Sequence, residues 1–391
     1  MDQSHRYQMP YFRLSGFYLF YFALLGALVP YWSLYLQSFD LSAQKIGVLM
    51  ALLHLSRVIA PNIWGWLADK TGQRVRIVRF GALLTWVIFI AMFWQTSALG
   101  IGVVMLLFSF FWNAVLPQFE VITLQHLGTS RDYYSRIRVW GSIGFVVAVI
   151  ATGVLLDYID IGWLPAVALV LMILIWLNTL IIPAPSGAAT ETHQEQSIWA
   201  ILRNRQVQVF LLVFFLVQFS HGPYYTFYSV LLQDLGYSRG QIGKLWAVGV
   251  VAEVLLFIVM PALFKRFSLR YLMLMSLVLC ALRWFLIATF ADSLALLVLA
   301  QCLHAASFGS LHAVGIAMVY HYFNQATQGR GQALFSSAGF GAGGVAGALF
   351  SGMFWASLGG SGTFMVATVI SMVALALAVV WIFPERFKQL D

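Results

Sequence analysis

Charge is what this chain of 391 residues lacks. Lys and Arg number 22, Asp and Glu 14, and together they make up 9% of the sequence, against about 25% in an ordinary soluble protein. So few charges cannot coat a water-exposed surface of this size, which excludes a cytosolic enzyme and a disordered chain. Cysteine is almost absent too. Cys280 and Cys302 both fall within apolar runs, so a secreted disulfide scaffold is excluded and nothing follows about redox compartment. The first thirteen residues are polar and include Arg6 and Arg13, and the apolar run behind them is too long for a signal-peptide core. The first span is therefore expected to be retained.

What the chain has is apolar surface: 61% hydrophobic residues and a mean hydropathy of +0.85. That composition predicts an all-α polytopic membrane protein, and at roughly 20 residues per crossing the length suits about twelve helices. Apolar runs between Gly, Pro and charge punctuation predict spans at 14–36, 46–67, 77–95, 98–127, 137–156, 161–182, 207–232, 242–263, 271–290, 294–323, 332–357 and 362–383. The polar stretch 183–206, opening with Pro183 and Pro185, reads as a linker. It separates an N-terminal six-helix bundle, 1–182, from a C-terminal one, 207–391. With the N-terminus inside, the inner loops and ends hold sixteen Lys/Arg, among them Lys70, Arg74, Arg131, Lys265, Arg330, Arg386 and Lys388. The outer loops hold only Lys45, Arg239 and Lys244. The net charge of +8 is thus a positive-inside signal that predicts cytoplasmic termini and a linker in the cytoplasm. It is no footprint for nucleic acid.

Shifting the chain by 196 residues lays 33–58 over 229–254. Nine of 26 positions are identical, including Gln37/Gln233, Ser42/Ser238 and Gly47/Gly243. Apolar bias alone would not keep those polar matches. The same offset puts Arg57 on Glu253, and a shift of 195 puts Ser142–Phe145 over Ser337–Phe340. Two homologous halves of six helices each are parallel repeats about an axis normal to the membrane, a design that puts a solute site between the halves near the midplane.

Gly65, Asp69, Lys70, Gly72 and Arg74, between the second and third spans, resemble the signature loop of the major facilitator superfamily, departing at Gln73 where the pattern is basic. The corresponding loop of the second half keeps Lys265 and Arg266 but not the pattern. Four further segments are similar to the bacterial 3-phenylpropionate permease branch, relatives of the lactose permease group of proton symporters. They are 134–142, 221–225, 245–253, and Leu303-His304 with His312. The resemblance implies twelve helices in two pseudo-symmetric bundles, alternating access, and proton-coupled uptake of a small organic solute. It implies a gating role for the signature loop, with Asp69 capping and pairing across the inner boundary between the halves.

Five charged residues fall well inside the spans: Arg57, Glu120, Arg138, Glu253 and Arg283. A charge at that depth is expensive unless it faces water or a partner. Residues equidistant from a hairpin turn share a depth. Glu120 and Arg138 are each nine residues from position 129, roughly 10–13 Å up their helices. Glu253, Arg283 and His304 fall at one level near mid-membrane, with Arg57 level with them by the repeat. Glu120–Arg138 and Glu253–Arg283 are accordingly candidate charge pairs; the alternative is that such pairs only fasten helices together. The resemblance implies substrate binding at Glu120 and Arg138, and proton linkage at Glu253, Arg283 and His304. The relatives carry a carboxylate one helical turn after the histidine where this chain has Ser307, which turns attention to Glu253 as proton carrier, with Glu120 and His304 behind it.

His312 lies eight residues after His304, facing roughly the same way, and joins the proton-coupling candidates. Arg57 joins the substrate-binding set, with Trp140, Tyr224, Tyr225, Tyr228 and Trp246 as cavity-wall candidates that could equally be ordinary packing. His221 precedes Pro223 at an expected kink, and His54 reads as a packed histidine. No further ligands accompany the histidines, so no metal is expected, and no cofactor beyond a coupling proton. The run Gly339, Gly341, Gly344 matches a dinucleotide fingerprint literally, but no strand precedes it and it sits in an apolar span.

The expected activity is therefore transport rather than catalysis: proton-coupled import of a small solute across a bacterial-type inner membrane by a monomer in the lipid bilayer. Three buried arginines against two carboxylates favour an anionic cargo such as an aromatic monocarboxylate. A neutral sugar or nucleoside is the competing cargo, and a non-transporting receptor the competing class.

Overall fold

The computed structural model describes residues 9–128, 130, 133–185, 198–324 and 327–382. Arg6, Arg131, Arg386, Lys388 and the middle of the linker, 186–197, lie outside them. The described residues are helical throughout, without a strand. Eleven apolar helices are long enough to cross a bilayer, but the last, Gln328–Trp381, has 54 residues and would be roughly 80 Å long at the α-helical rise. That is far more than a hydrocarbon core of about 30 Å. The helix turns at Gly359, whose φ of +67° a residue with a Cβ rarely adopts. It therefore makes two crossings, and the described residues make twelve.

We number the crossings α1 (Tyr11–Leu28, resuming as Trp32–Gln37), α2 (Ala43–Thr71), α3 (Arg74–Trp94), α4 (Ala98–Leu127), α5 (Tyr133–Tyr158) and α6 (Ile161–Leu180). The second half has α7 (Arg205–Asp234), α8 (Arg239–Arg266), α9 (Leu269–Phe290), α10 (Leu294–Tyr322), α11 (328–358) and α12 (360–381). The expected spans match these within a few residues, and the expected kink in α7 is a break at His221 between Ser220 and Gly222. Helix starts follow side-chain capping: Ser42, Ser97 and Ser268 each accept from a backbone N–H of the first turn, and Ser238 with Gln241 closes a full capping box on α8. Gly72 ends α2 in a left-handed conformation, φ +67°, which is what its place in the signature loop demands.

The halves meet at the side far from the linker. There Asp157, at the end of α5, accepts from Ser238 Oγ and from the Gly240 N–H at the start of α8, each at 3.0 Å. Arg239 donates to the Leu156 carbonyl at 2.8 Å. The Tyr31 hydroxyl bonds the Val149 carbonyl at 2.7 Å and reaches the Arg239 carbonyl at 3.4 Å. Glycine makes this closeness possible: a Cβ on Gly47 of α2 would stand 2.6 Å from the Gly352 Cα of α11. The apolar core follows the same division. One cluster joins both halves through Tyr31, Ile242, Trp246 and Ala348. Two others, around Phe210 and Phe335 and around Ala60 and Trp64, each belong to one half alone. The molecule is thus a wedge, closed on the far side.

A branched side chain at Gly47 cannot be accommodated without separating α2 from α11. Gly47→Val is expected to open the far side, raising the labelling rate of a cysteine placed at Ala348 severalfold over the same cysteine in the parent; an unchanged rate would contradict this picture of closure.

Candidate functional site

Arg57 is the central residue of α2, and Glu253 lies at the middle of α8, the two positions that the internal repeat superposes. The Glu253 side chain is 20% exposed and its Oε2 lies 3.3 Å from His304 Nε2 on α10. Gly249 and Gly309 let these helices approach: a Cβ on Gly309 would stand 2.9 Å from Glu253 Cγ. Arg138 of the first half, with His312 and Arg283 of the second, lies within electrostatic reach of the Glu253 carboxylate. Charges of both halves therefore face one cleft.

The Glu253–Arg283 pair expected from the sequence is not formed. Arg283 is wholly buried, its guanidinium 4.2 Å from the Tyr224 ring centre and 4.4 Å from that of Trp284. It donates to Ser307 Oγ at 3.0 Å and reaches Gln301 Oε1 at 3.5 Å. Two ring faces and neutral oxygens take up its charge, and the carboxylate turns to the imidazole instead. Equal depth was legible; which neighbour lies nearest depends on helix rotation, which hairpin arithmetic does not give.

In the first half, Glu120 on α4 and Arg138 on α5 are close enough to interact electrostatically, and Tyr134 hydrogen-bonds the Glu120 carboxylate. They make no direct ion pair among the described residues. The Arg138 guanidinium sits 3.9 Å over the Phe22 ring and 5.6 Å from that of Tyr18. Arg57 reaches towards Tyr21 of its own half and Tyr225 of the other.

The aromatic candidates divide. Tyr225 is partly exposed beside the cleft, whereas Tyr224, Tyr228 and Trp246 are buried as one packed group. Tyr224 donates to Gln301 Oε1 at 3.0 Å and Trp246 to Ser229 Oγ at 3.1 Å. Trp140 is held away from the cluster, donating to Tyr11 Oη on α1 at 3.0 Å. Gln301, Tyr18, Phe22 and Tyr134 were missed. Gln301, three residues before His304, and Tyr134, four before Arg138, could have been found by helical spacing; Tyr18 and Phe22 touch the charges from α1 and leave no sequence signal.

His221, buried, has its Nδ1 2.8 Å from the Val217 carbonyl, and His54 packs against the Gly344 backbone of α11. In the signature loop Asp69 pairs with Arg74, which also bonds Gln118 of α4, and Lys70 lies 4.9 Å over the Trp66 ring. The expected pairing of Asp69 across the halves is absent among the described residues, because the halves touch at the opposite side. No group of three or more His, Cys, Asp or Glu side chains suited to a metal occurs among the described residues.

A family model described as "MFS_1 like family" matches residues 11–366. The chain belongs to this major facilitator family. It is 29% identical over 364 residues to the probable 3-phenylpropionic acid transporter of Escherichia coli strain K12, covering 92% of this chain and 95% of that one. It is 30% identical over 281 residues to the maltose permease of Geobacillus stearothermophilus, 70% of each. Among solved structures, the nucleoside transporter NupG superposes with a TM-score of 0.83 at 18% identity, over 95% of this chain and 98% of that one. The major facilitator protein is thus a membrane transporter, with the twelve-helix fold of its relatives.

Removing the Arg283 guanidinium strands the Gln301 and Ser307 oxygens and leaves a gap between two rings. Arg283→Leu is expected to cost about 3 kcal/mol of stability, and Ser307→Ala about 1 kcal/mol, read from thermal unfolding in detergent. Equal midpoints for Arg283→Leu and the parent would contradict a packing role for the guanidinium.

Proposed function

We propose that the protein imports an aromatic monocarboxylate together with a proton, by alternating access across a bacterial inner membrane, acting as a monomer with both termini in the cytoplasm. The observation that carries the reading is the Glu253–His304 contact at 3.3 Å in the cleft. An imidazole donates to an ionised carboxylate and accepts from a protonated one, so a single geometry serves both states of Glu253. No arginine grips this carboxylate to hold it ionised. Arg138, within electrostatic reach from the opposite half, favours the ionised form while it is near, and that support weakens as the halves part. Rocking of the halves thereby changes the affinity for the proton, while His312 adds a second imidazole beside the same carboxylate.

The cargo follows from charge and from kinship. Arg57, Arg138 and Arg283 outnumber Glu120 and Glu253 at mid-depth, leaving one positive charge for an anion to answer, and rings surround that charge. One relative, matched over 92% of this chain, is a probable 3-phenylpropionic acid transporter. A neutral sugar is the second reading, favoured by 30% identity to a maltose permease. In either case the signature loop acts as a gate: Asp69, paired with Arg74 of its own half here, pairs across the halves when the cleft closes on the linker side.

Proteoliposomes with an imposed proton gradient test this. Radiolabelled 3-phenylpropionate is expected to accumulate, and maltose or a nucleoside not to. Glu253→Gln is expected to abolish accumulation while leaving exchange of internal for external solute within about twofold. Accumulation persisting in Glu253→Gln would remove Glu253 as the proton carrier; uptake of the sugar or nucleoside alone would favour the second reading.

A further inference from the structure

Glu120 and Arg138 stand level on successive helices, at a depth where an unanswered charge is costly, yet no ion pair joins them among the described residues. The Tyr134 hydroxyl lies between them, bonded to the Glu120 carboxylate and in hydrogen-bond reach of Arg138. What holds the guanidinium back is on its other side. A helical side chain ordinarily lies over the turn N-terminal to its own Cα. Arg138 instead rests against Gly141, three residues further on, where a Cβ would stand 2.7 Å from Arg138 Nη1 and 2.8 Å from Phe22 Cδ2. The guanidinium is stacked on the Phe22 ring at 3.9 Å and lodged in a notch that exists because residue 141 has no side chain.

Two observations separate this notch from ordinary close packing. A Cβ on Gly144, also on α5, would stand 2.1 Å from the Leu19 carbonyl oxygen of α1, so backbone meets backbone there and the glycine serves helix contact. At Gly141 the nearest atoms belong to side chains, which can move aside, and a helix interior favours alanine over glycine. Glycine at 141 therefore needs another reason. The internal repeat draws the same distinction. The shift of 195 that lays Ser142–Phe145 over Ser337–Phe340 puts Gly144 on Gly339, but Gly141 on Ser336 and Arg138 on Ala333. Where the arginine is absent, the glycine is absent too.

Resting on the reading of the protein as an importer of an anionic solute, we infer that Gly141 is a positioning residue for Arg138 and, through it, a determinant of cargo charge: the notch keeps the guanidinium off Glu120 and open to the carboxylate of the cargo. From this place Arg138 reaches Glu253 and His312 of the other half electrostatically. Locked onto Glu120, it would be neutralised within its own half, and the cleft would lose its preference for an anion. Alanine at 141 fills the notch, turns the guanidinium back towards Tyr134 and Glu120, and closes that pair.

The test is equilibrium binding of radiolabelled 3-phenylpropionate and its neutral isostere 3-phenylpropionamide to the purified, detergent-solubilised full chain. The parent is expected to prefer the acid. Gly141→Ala is expected to weaken acid binding about tenfold, the loss of one charge-assisted contact, with the amide unchanged within about twofold and the thermal unfolding midpoint no lower than the parent's. Gly144→Ala, which meets backbone, is the control expected to lower that midpoint. Because Gly141 acts through Arg138, Gly141→Ala is expected to change nothing further in the Arg138→Gln background, and Glu120→Gln to restore part of the acid affinity of Gly141→Ala. A cycle on thermal unfolding needs no solute: the coupling between Glu120→Gln and Arg138→Gln is expected to grow at least about twofold when residue 141 is alanine. Acid affinity unchanged in Gly141→Ala, an equal loss in the Arg138→Gln background, an unchanged coupling, or a midpoint lowered as far as in Gly144→Ala would overturn the notch and leave the transport reading standing. If the parent binds maltose or a nucleoside and neither phenyl compound, the reading of the cargo fails, while a larger coupling in the alanine background still upholds the positioning of Arg138.

Discussion

A charge halfway through a bilayer must be answered inside the protein, and this one condition organises the structure. Five ionisable groups are stationed at that depth, and three of them show how differently the condition is met. Glu253 turns to an imidazole, Arg283 to two ring faces and two neutral oxygens, Arg138 to a ring beside a carboxylate. None is locked in a tight carboxylate–guanidinium pair. Such pairs would be stable and hard to break, and a transporter has to exchange partners with little change in energy at every turn of its cycle. Ring faces and imidazoles hold charge more loosely, so the groups stay available to solute and proton.

The same economy of hold applies between the halves. On the far side the closure depends on backbone meeting backbone, with Gly47 against Gly352 and Gly243 against the Val149 carbonyl. A few polar links finish it, Asp157 on the free N–H groups of α8 being the most directional. A carboxylate at a helix N-terminus gains from the orphan N–H groups and from the helix dipole together, but it is exposed to water and can let go. Small residues give close contact without interlocking side chains. Parting the interface divides the one apolar cluster that the halves share, while the two clusters beyond it, each within one half, stay packed.

The architecture was legible in the sequence because bilayer thickness fixes helix length and lipid fixes composition. Twelve apolar runs, one linker and a 196-residue repeat left little freedom, and the merging of the last two crossings into one helix at Gly359 changes nothing in topology. The site was legible in part. Charge at mid-depth is so rare that Arg57, Glu120, Arg138, Glu253 and Arg283 stood out individually, and the histidines near them followed. Partner choice was not legible, since it turns on helix rotation and on uncharged neighbours. Ser307 reads as a missing carboxylate, yet it is an acceptor for Arg283; Trp246 and Tyr228 read as cavity wall and are core. A polar or aromatic residue in an apolar helix announces little about which way it faces.

One rotation has an identifiable cause. Eight residues of regular α-helix separate two side chains by about 80° around the axis, which would leave His304 and His312 only loosely on one face. Between them, however, residues Ala305–Ser310 form a π-helical turn, which takes up one extra residue. The eight-residue interval then acts like seven, and the offset falls to about 20°. The rings answer to it: His304, Phe308 and His312 lie nearly parallel, each pair with planes within 10°, at 5.2 and 6.4 Å between centres. His312 is thereby brought to the Glu253 carboxylate alongside His304. The second half has another π turn at Ser337–Gly343, where the first half keeps regular α-helix through Ser142–Phe145, its repeat counterpart. Two copies of one ancestral bundle have thus diverged by backbone register as well as by side chain, and the half that carries the carboxylate and the imidazoles is the half whose helices were rewound to bring them together.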